Sequence, residues 1–345
     1  MNKLVHLTYL LLAFLALSVA AGAQTNKHFS LADRKLLMKK EDSLKIYADS
    51  MINAEAAGKR FLSDSQFVKT FVRALLTKNS FYYPFDSLQT VSILYPDDSS
   101  FRIFTWQLKK DEYMYFQKGA IQMHTPDGSL KLLPLFDASM FTSKPVDSVR
   151  TRKNWIGALY YRIIQKTFNG TKYYTLLGFD DYTSSSNRKW MEVMHFDPAS
   201  GEPLFGGQVI SFREDTGQAK PTLNRFEMEY KKEARAQFNY NPEMDMIIYD
   251  HLVSESDEPA RKETYIPDGD FEGFKWKNGQ WVHVDKVFNT KLRDGEAPQD
   301  ATIKDANGNI DEQKLMDQSE KNIENAKKKA AEEKKAAPKR KPGDQ

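Results

Sequence analysis

The densest grouping of side chains able to do chemistry runs from Gly178 to Asp197. There Asp180, Asp181, Glu192 and His195 lie among Tyr182, Arg188, Lys189 and Trp190. A carboxylate and an imidazole set around a cleft can act as acid and base in hydrolysis. These four are therefore the candidate catalytic residues, and a hydrolase acting on envelope polymers or peptides is the reaction class they would serve. Strand spacing argues against it: Glu192 shares a face with Trp190 and Met194, whereas His195 points with Met191 and Val193 to the other. A hairpin with a connection rich in Asp, Ser and Asn accounts for the same residues without catalysis.

Other chemistries find less. His28, His124, His195, His251 and His283 form no His-x-His or His-Glu-x-x-His spacing, so no metal site and no cofactor are expected. Ser186-Asn187-Arg188-Lys189 matches the Ser-x-x-Lys pattern of penicillin-recognising enzymes, but the accompanying Ser-Asp-Asn and Lys-Thr-Gly elements are missing. Asp305–Asp311 looks like a calcium loop, yet its glycine falls two places early and Met316 stands where a bidentate Glu belongs. With no cysteine, disulfides, a thiol nucleophile and thiolate metal sites are excluded.

The first 23 residues carry an address. Lys3, an apolar run centred on Tyr9–Ala20 and Ala21-Gly22-Ala23 before Gln24 make the pattern of a secretory signal peptide cleaved between Ala23 and Gln24. The expected location is the periplasm or the outside of the cell, with no transmembrane segment once the leader is removed. An uncleaved anchor is the competing reading. The net charge of +3 is concentrated in Lys327–Gln345, where Lys and Arg far outnumber Glu332, Glu333 and Asp344. The rest of the mature chain is slightly acidic, unlike a nucleic-acid binder. The basic tail suits contact with anionic surfaces or serves as a solubilising end.

Two helices should open the mature protein. Ser30 can cap the first, with Leu37, Leu44, Tyr47 and Met51 sharing a face that ends near Gly58. Ser63 and Gln66 form a capping box for the second, Leu62 and Phe67 a staple, and Phe67, Phe71 and Leu75 a stripe widened by Val68, Val72 and Leu76. After Tyr83-Pro84 the pattern changes to short apolar segments separated by turns. Asp127-Gly128, Asn169-Gly170 and Asn278-Gly279 are hairpin signals, so the strands should form an antiparallel meander. In Arg225–Lys231, Phe226, Met228 and Tyr230 alternate with Arg225, Glu227, Glu229 and Lys231, one face packing and the other meeting water. Ala158–Phe168 and Lys172–Phe179 are apolar on both faces, with the helices as their expected cover.

The fold class is thus α+β: two N-terminal helices, an aromatic-rich antiparallel β-meander and a disordered basic C-terminal tail. The divisions are a leader over 1–23, a helical region over 24–82, a β domain over 83–290, and a linker and tail over 291–345.

Leu176-Leu177-Gly178-Phe179-Asp180-Asp181, Arg188-Lys189-Trp190-Met191-Glu192-Val193, Phe196-Asp197-Pro198 and Gly201-Glu202-Pro203-Leu204-Phe205-Gly206 together resemble a segment of uncharacterised exported proteins from Bacteroidota. Ile266-Pro267-Asp268-Gly269-Asp270-Phe271-Glu272-Gly273-Phe274-Lys275-Trp276 adds to the resemblance. It spans a minor part of the chain, implies an envelope protein of a Gram-negative cell, and brings no active site. The leading expectation is an exported, non-catalytic protein that binds an envelope partner or ligand through its sheet face. The alternatives are the hydrolase and a carrier of an apolar small molecule held between curved strands.

Overall fold

A computed structural model describes residues 28–212, 222–256 and 258–288, all within the unit of the chain that ends at Phe288. The leader with its Ala23–Gln24 junction, the calcium-like loop and the basic tail lie outside the described residues.

Helix α1 spans Leu31–Asn53, and the Ser30 hydroxyl caps it by accepting from the N–H of Asp33 (3.0 Å). Leu37, Leu44, Ala48 and Met51 form its buried stripe. Helix α2, Ala57–Leu75, departs from the capping-box expectation: it starts six residues before Ser63, and Gly58 lies in its first turn. The reason is tertiary. Arg60 donates to the carbonyls of Ala54 and Glu55 (2.8 and 2.7 Å) and to those of Lys109 and Lys110 (2.7 and 2.8 Å). It thereby closes the end of α1 and fixes the start of α2, while Ser63 turns inward to bond Ser50 (2.9 Å). Phe67, Phe71 and Leu75 are buried as the stripe requires, but Val68 and Leu76 are exposed. Among the described residues no helix is long and apolar enough to cross a membrane.

The strands are β1 (Val91–Leu94), β2 (Phe101–Lys109), β3 (Tyr115–Met123), β4 (Lys131–Leu135), β5 (Arg150–Thr151), β6 (Leu159–Phe168), β7 (Thr171–Asp180) and β8 (Ser186–Phe196). There follow β9 (Pro203–Phe205), β10 (Ile210–Ser211), β11 (Arg225–Lys231), β12 (Phe238–Asn241), β13 (Met246–Ser254), β14 (Tyr265–Lys277) and β15 (Gln280–Val284). Sequential strands pair antiparallel, as the hairpin signals require, but they divide among three sheets: β1-β2-β3-β4, β5-β9-β8-β7-β6 and β10-β15-β14-β13-β12. Only the short β10–β15 pairing is parallel among the named strands. One edge of β8 is shared, with β11 along Ser186–Glu192 and β9 along Met194–Phe196.

Side-chain alternation stacks these sheets. On β2, Phe104, Trp106 and Leu108 pack under the helices, while Phe101 and Ile103 face the second sheet. On β8, Trp190 and Met194 join that second core, and Met191 and Val193 join a third against Phe238, Ile247, Phe274 and Trp281. The order is therefore helices, sheet, sheet, sheet. The two-sided apolar strands β6 and β7 are covered by the flanking sheets, and the helices lie over the first sheet instead. Polar bonds also cross between layers: the Tyr160 N–H donates to Thr105 Oγ1 (3.0 Å), and Trp281 Nε1 donates to Thr175 Oγ1 (2.8 Å).

Two hairpins take the expected primed form. Asn169 and Gly170 (φ 47° and 77°) join β6 to β7, and Asn278 and Gly279 (φ 50° and 80°) join β14 to β15. Gly279 is required for a second reason, since a Cβ there would lie 2.4 Å from the Phe168 ring.

Under the helices sits a buried cation with no carboxylate partner among the described residues. Arg102 donates to Gln122 Oε1 (2.8 Å), the carbonyls of Tyr83 and Ser80 (2.7 and 2.8 Å) and the Tyr95 hydroxyl (2.7 Å). Its guanidinium lies 4.7 Å from the Phe104 ring centroid, so neutral acceptors and a ring face replace a counter-ion.

Candidate functional site

The four residues singled out from the sequence do not converge. Glu192 is buried, and its carboxylate accepts from Arg225 Nε (2.6 Å) and from the Tyr160 hydroxyl (2.5 Å). Tyr160 in turn accepts from Trp155 Nε1 (2.7 Å). Burial, followed by the Glu192 charge, pushes the Tyr160 pKa well above its usual range, so the phenol stays a donor. Arg225 spends its remaining donors on the carbonyls of Pro145, Ser148 and Phe205. The expected water-facing position of Arg225 is corrected here: it is 1% exposed, because β11 lies on β8 with Arg225 directly across from Glu192.

His195 points to the other side of β8, towards the Tyr173 ring. Burial lowers its pKa, against a weaker opposing pull from Asp197, which keeps the imidazole neutral at pH 7. Asp180 accepts from Gln117 Nε2 (2.9 Å), and burial raises its pKa to about 6. Asp181 pairs with Lys232. Asp180 and Asp181 both lie near Lys232, but Glu192 and His195 stand on opposite faces of β8, so the four are not aimed at a common point.

A different place gathers polar groups around open space. A cleft of about 400 Å³ lies where β11, β13 and β14 approach one another. Phe226, Met228 and Leu252 supply apolar lining. On one side Arg188 from β8 bonds Glu227 (2.7 Å) and Glu229 (3.0 Å) of β11, and the Tyr182 ring lies against its guanidinium (3.2 Å to the centroid). The Ser186 hydroxyl adds a bond to Glu229 (2.6 Å).

The far side comes from sheet three. Glu272 accepts from the Tyr249 hydroxyl (2.6 Å) and contacts His283 Nε2 (2.7 Å), with His251 Nε2 3.6 Å away. His251 also meets Asp268 through Nδ1 (2.8 Å). Burial would raise the Glu272 pKa, but the bonds from His283 and Tyr249 outweigh it and hold the carboxyl below its ordinary value. Asp250 and Glu227 go the other way: burial raises both, against the Gln237 N–H on Asp250 and the Arg188 charge beside Glu227. Between β13 and β14 the chain forms an arm whose short turn, Lys262–Thr264, returns over β8 and β11 and brings Lys262 and Tyr265 into the lining.

The lining thus holds the carboxylates of Glu227, Glu229, Asp250 and Glu272 together with Arg188, Lys262 and His251. Such a site can bind a polar or cationic group beside an apolar one. Among the described residues no group of three His, Asp or Glu is arranged to hold a metal ion.

Reading β11 as a half-wet strand hid this site. The signal that could have found it is Glu227 and Glu229 on one face of a strand, with Arg188 in a neighbouring strand to receive them. No protein-family profile, curated protein or solved structure matches the chain.

Proposed function

We propose that this is an exported cell-envelope protein that binds a partner or ligand in the cleft between β11 and β13 and performs no reaction on it. The observation that carries the reading is the cleft itself: apolar side chains and a surplus of carboxylates around one cavity of about 400 Å³. That volume is in the range of ligand pockets. The leader pattern ending at Ala23 and the resemblance to exported Bacteroidota proteins support a periplasmic or secreted location. The basic tail, suited to anionic surfaces, supports residence near a membrane or envelope polymer.

One observation favours a hydrolase as the second reading, namely that Glu227 and Asp250 both have raised pKa values in the same cleft. The carrier reading has less support, because charged groups interrupt the apolar lining.

The test is a photo-reactive residue placed at Tyr265 in the secreting cell, with Lys45 on the outer face of α1 as the control position. Binding predicts adducts from position 265 and none from 45. Equal labelling at both, or none at 265, would overturn the proposal. Turnover of an envelope substrate that is lost in Glu227→Gln or Asp250→Asn would establish the hydrolase instead.

A further inference from the structure

Strand β11 has one strand neighbour among the described residues, β8. Just past its end, the N–H of Lys232 donates to the carbonyl of Ser185 (2.9 Å). That bond sets the alternation of the antiparallel ladder. Phe226, Met228 and Tyr230 exchange their backbone bonds with Met191, Lys189 and Asn187, and Glu227 and Glu229 turn their N–H and C=O groups away from β8. The bond from Gly206 N–H to the Val193 carbonyl (2.8 Å) gives the same phase on β8.

The residues that carry this outward edge line the cleft. Four consecutive residues of β11, Phe226 to Glu229, line it on one side, and four of β13, Tyr249 to Leu252, line it on the other. Backbone donors and acceptors repeating every second residue call for a ligand with the same repeat, which an extended peptide supplies. Charge narrows the choice further. Arg188 occupies Glu227 and Glu229, whereas Asp250 accepts from the Gln237 N–H (2.6 Å) and Glu272 meets Tyr249 and His283, so carboxylates outnumber Lys and Arg in the lining and favour a cationic side chain.

Resting on the binding reading above, we propose that the cleft takes a short extended peptide carrying a basic residue, added as a strand to the edge of β11 that is turned away from β8 and unpaired among the described strands. Its backbone bonds the outward groups of Glu227 and Glu229. An apolar side chain lies on Phe226 and Met228, and the basic one reaches Asp250 and Glu272.

The experiment uses the secreted full chain and a library of end-capped hexapeptides with Lys fixed at the third position, compared with the same library with Glu fixed there. Binders are expected in the Lys library, with affinities at least 10-fold above their Glu counterparts. In the best binder, N-methylation of one alternate set of amides should weaken binding at least 10-fold, and methylation of the other set should change it little, because only one peptide edge meets β11.

Glu227→Pro removes an outward N–H without removing a ladder bond to β8 and should abolish binding, while Glu227→Gln should retain it within a few fold. If the proline variant does not fold, the methylated peptides on the unaltered protein decide alone. No binder in either library, or equal binding by both methylated sets, overturns the inference. Capture of a glycan or lipid at position 265 with no peptide binding would also overturn it while leaving the binding role intact. Loss of every cleft adduct would overturn both.

Discussion

Arg225 and Glu192 face each other across β11 and β8, with Arg225 Nε 2.6 Å from the carboxylate and both side chains shut off from water. Removing either leaves a buried charge without its partner, which costs roughly 3–5 kcal/mol. Glu192→Leu and Arg225→Met should each lose about that much in urea unfolding, and the double variant should lose clearly less than the two together. Strict additivity would mean the pair is not coupled.

Asp180 makes stability depend on pH. Its carboxyl has a pKa of about 6 in the fold against 3.8 as the ordinary value, so the native state holds the proton more tightly. Its contribution is complete below about pH 4 and is lost as pH rises through 6. Asp180→Asn should match the parent at pH 3.5 and exceed it by about 3 kcal/mol at pH 7. Parallel curves for the two proteins across that window would refute the assignment.

Gly170 and Gly279 occupy the same position of similar turns, yet their surroundings differ. A Cβ at Gly170 meets nothing within 4 Å, whereas one at Gly279 runs into Phe168. Gly170→Ala should cost about 1 kcal/mol from the positive φ alone. Gly279→Ala should cost more, and Phe168→Leu in its background should recover part of the difference. Equal costs would show that the two hairpins do not pack.

Arg102 satisfies four acceptors with one planar fork. Lysine has three donors and no plane to lie against Phe104, so Arg102→Lys should lose about 1–3 kcal/mol. Exposed Arg34→Lys should change stability by less than about 0.5 kcal/mol. Thermal unfolding of both variants provides the comparison.

The parts of this structure legible in the sequence are those decided by near neighbours. Ser30 caps α1 through Asp33, three residues away, and Asn169-Gly170 turns the chain with its own dihedral angles. The Phe67–Phe71–Leu75 stripe likewise follows from helical spacing. What escaped was decided at a distance. Ser63 lost its capping role because Arg60 reaches the carbonyls of Lys109 and Lys110. The two-sided apolar character of β6 and β7 required cover without saying that sheets would provide it. At the candidate site, Glu192 and His195 parted by strand parity as expected. The cleft went unread because Glu272, Asp250 and Arg188 come to line one cavity with Glu227 and Glu229 only once four strands from two sheets are in place.

The bonds between layers, Thr105 with Tyr160 and Thr175 with Trp281, bear on how the stack resists force. Oily contact alone opposes separation of two surfaces but offers little resistance to sliding. A directional bond sunk into each interface turns a slip plane into a keyed joint. Mechanical loading should therefore make the described sheets give way together in one event, with no successive peeling of leaves.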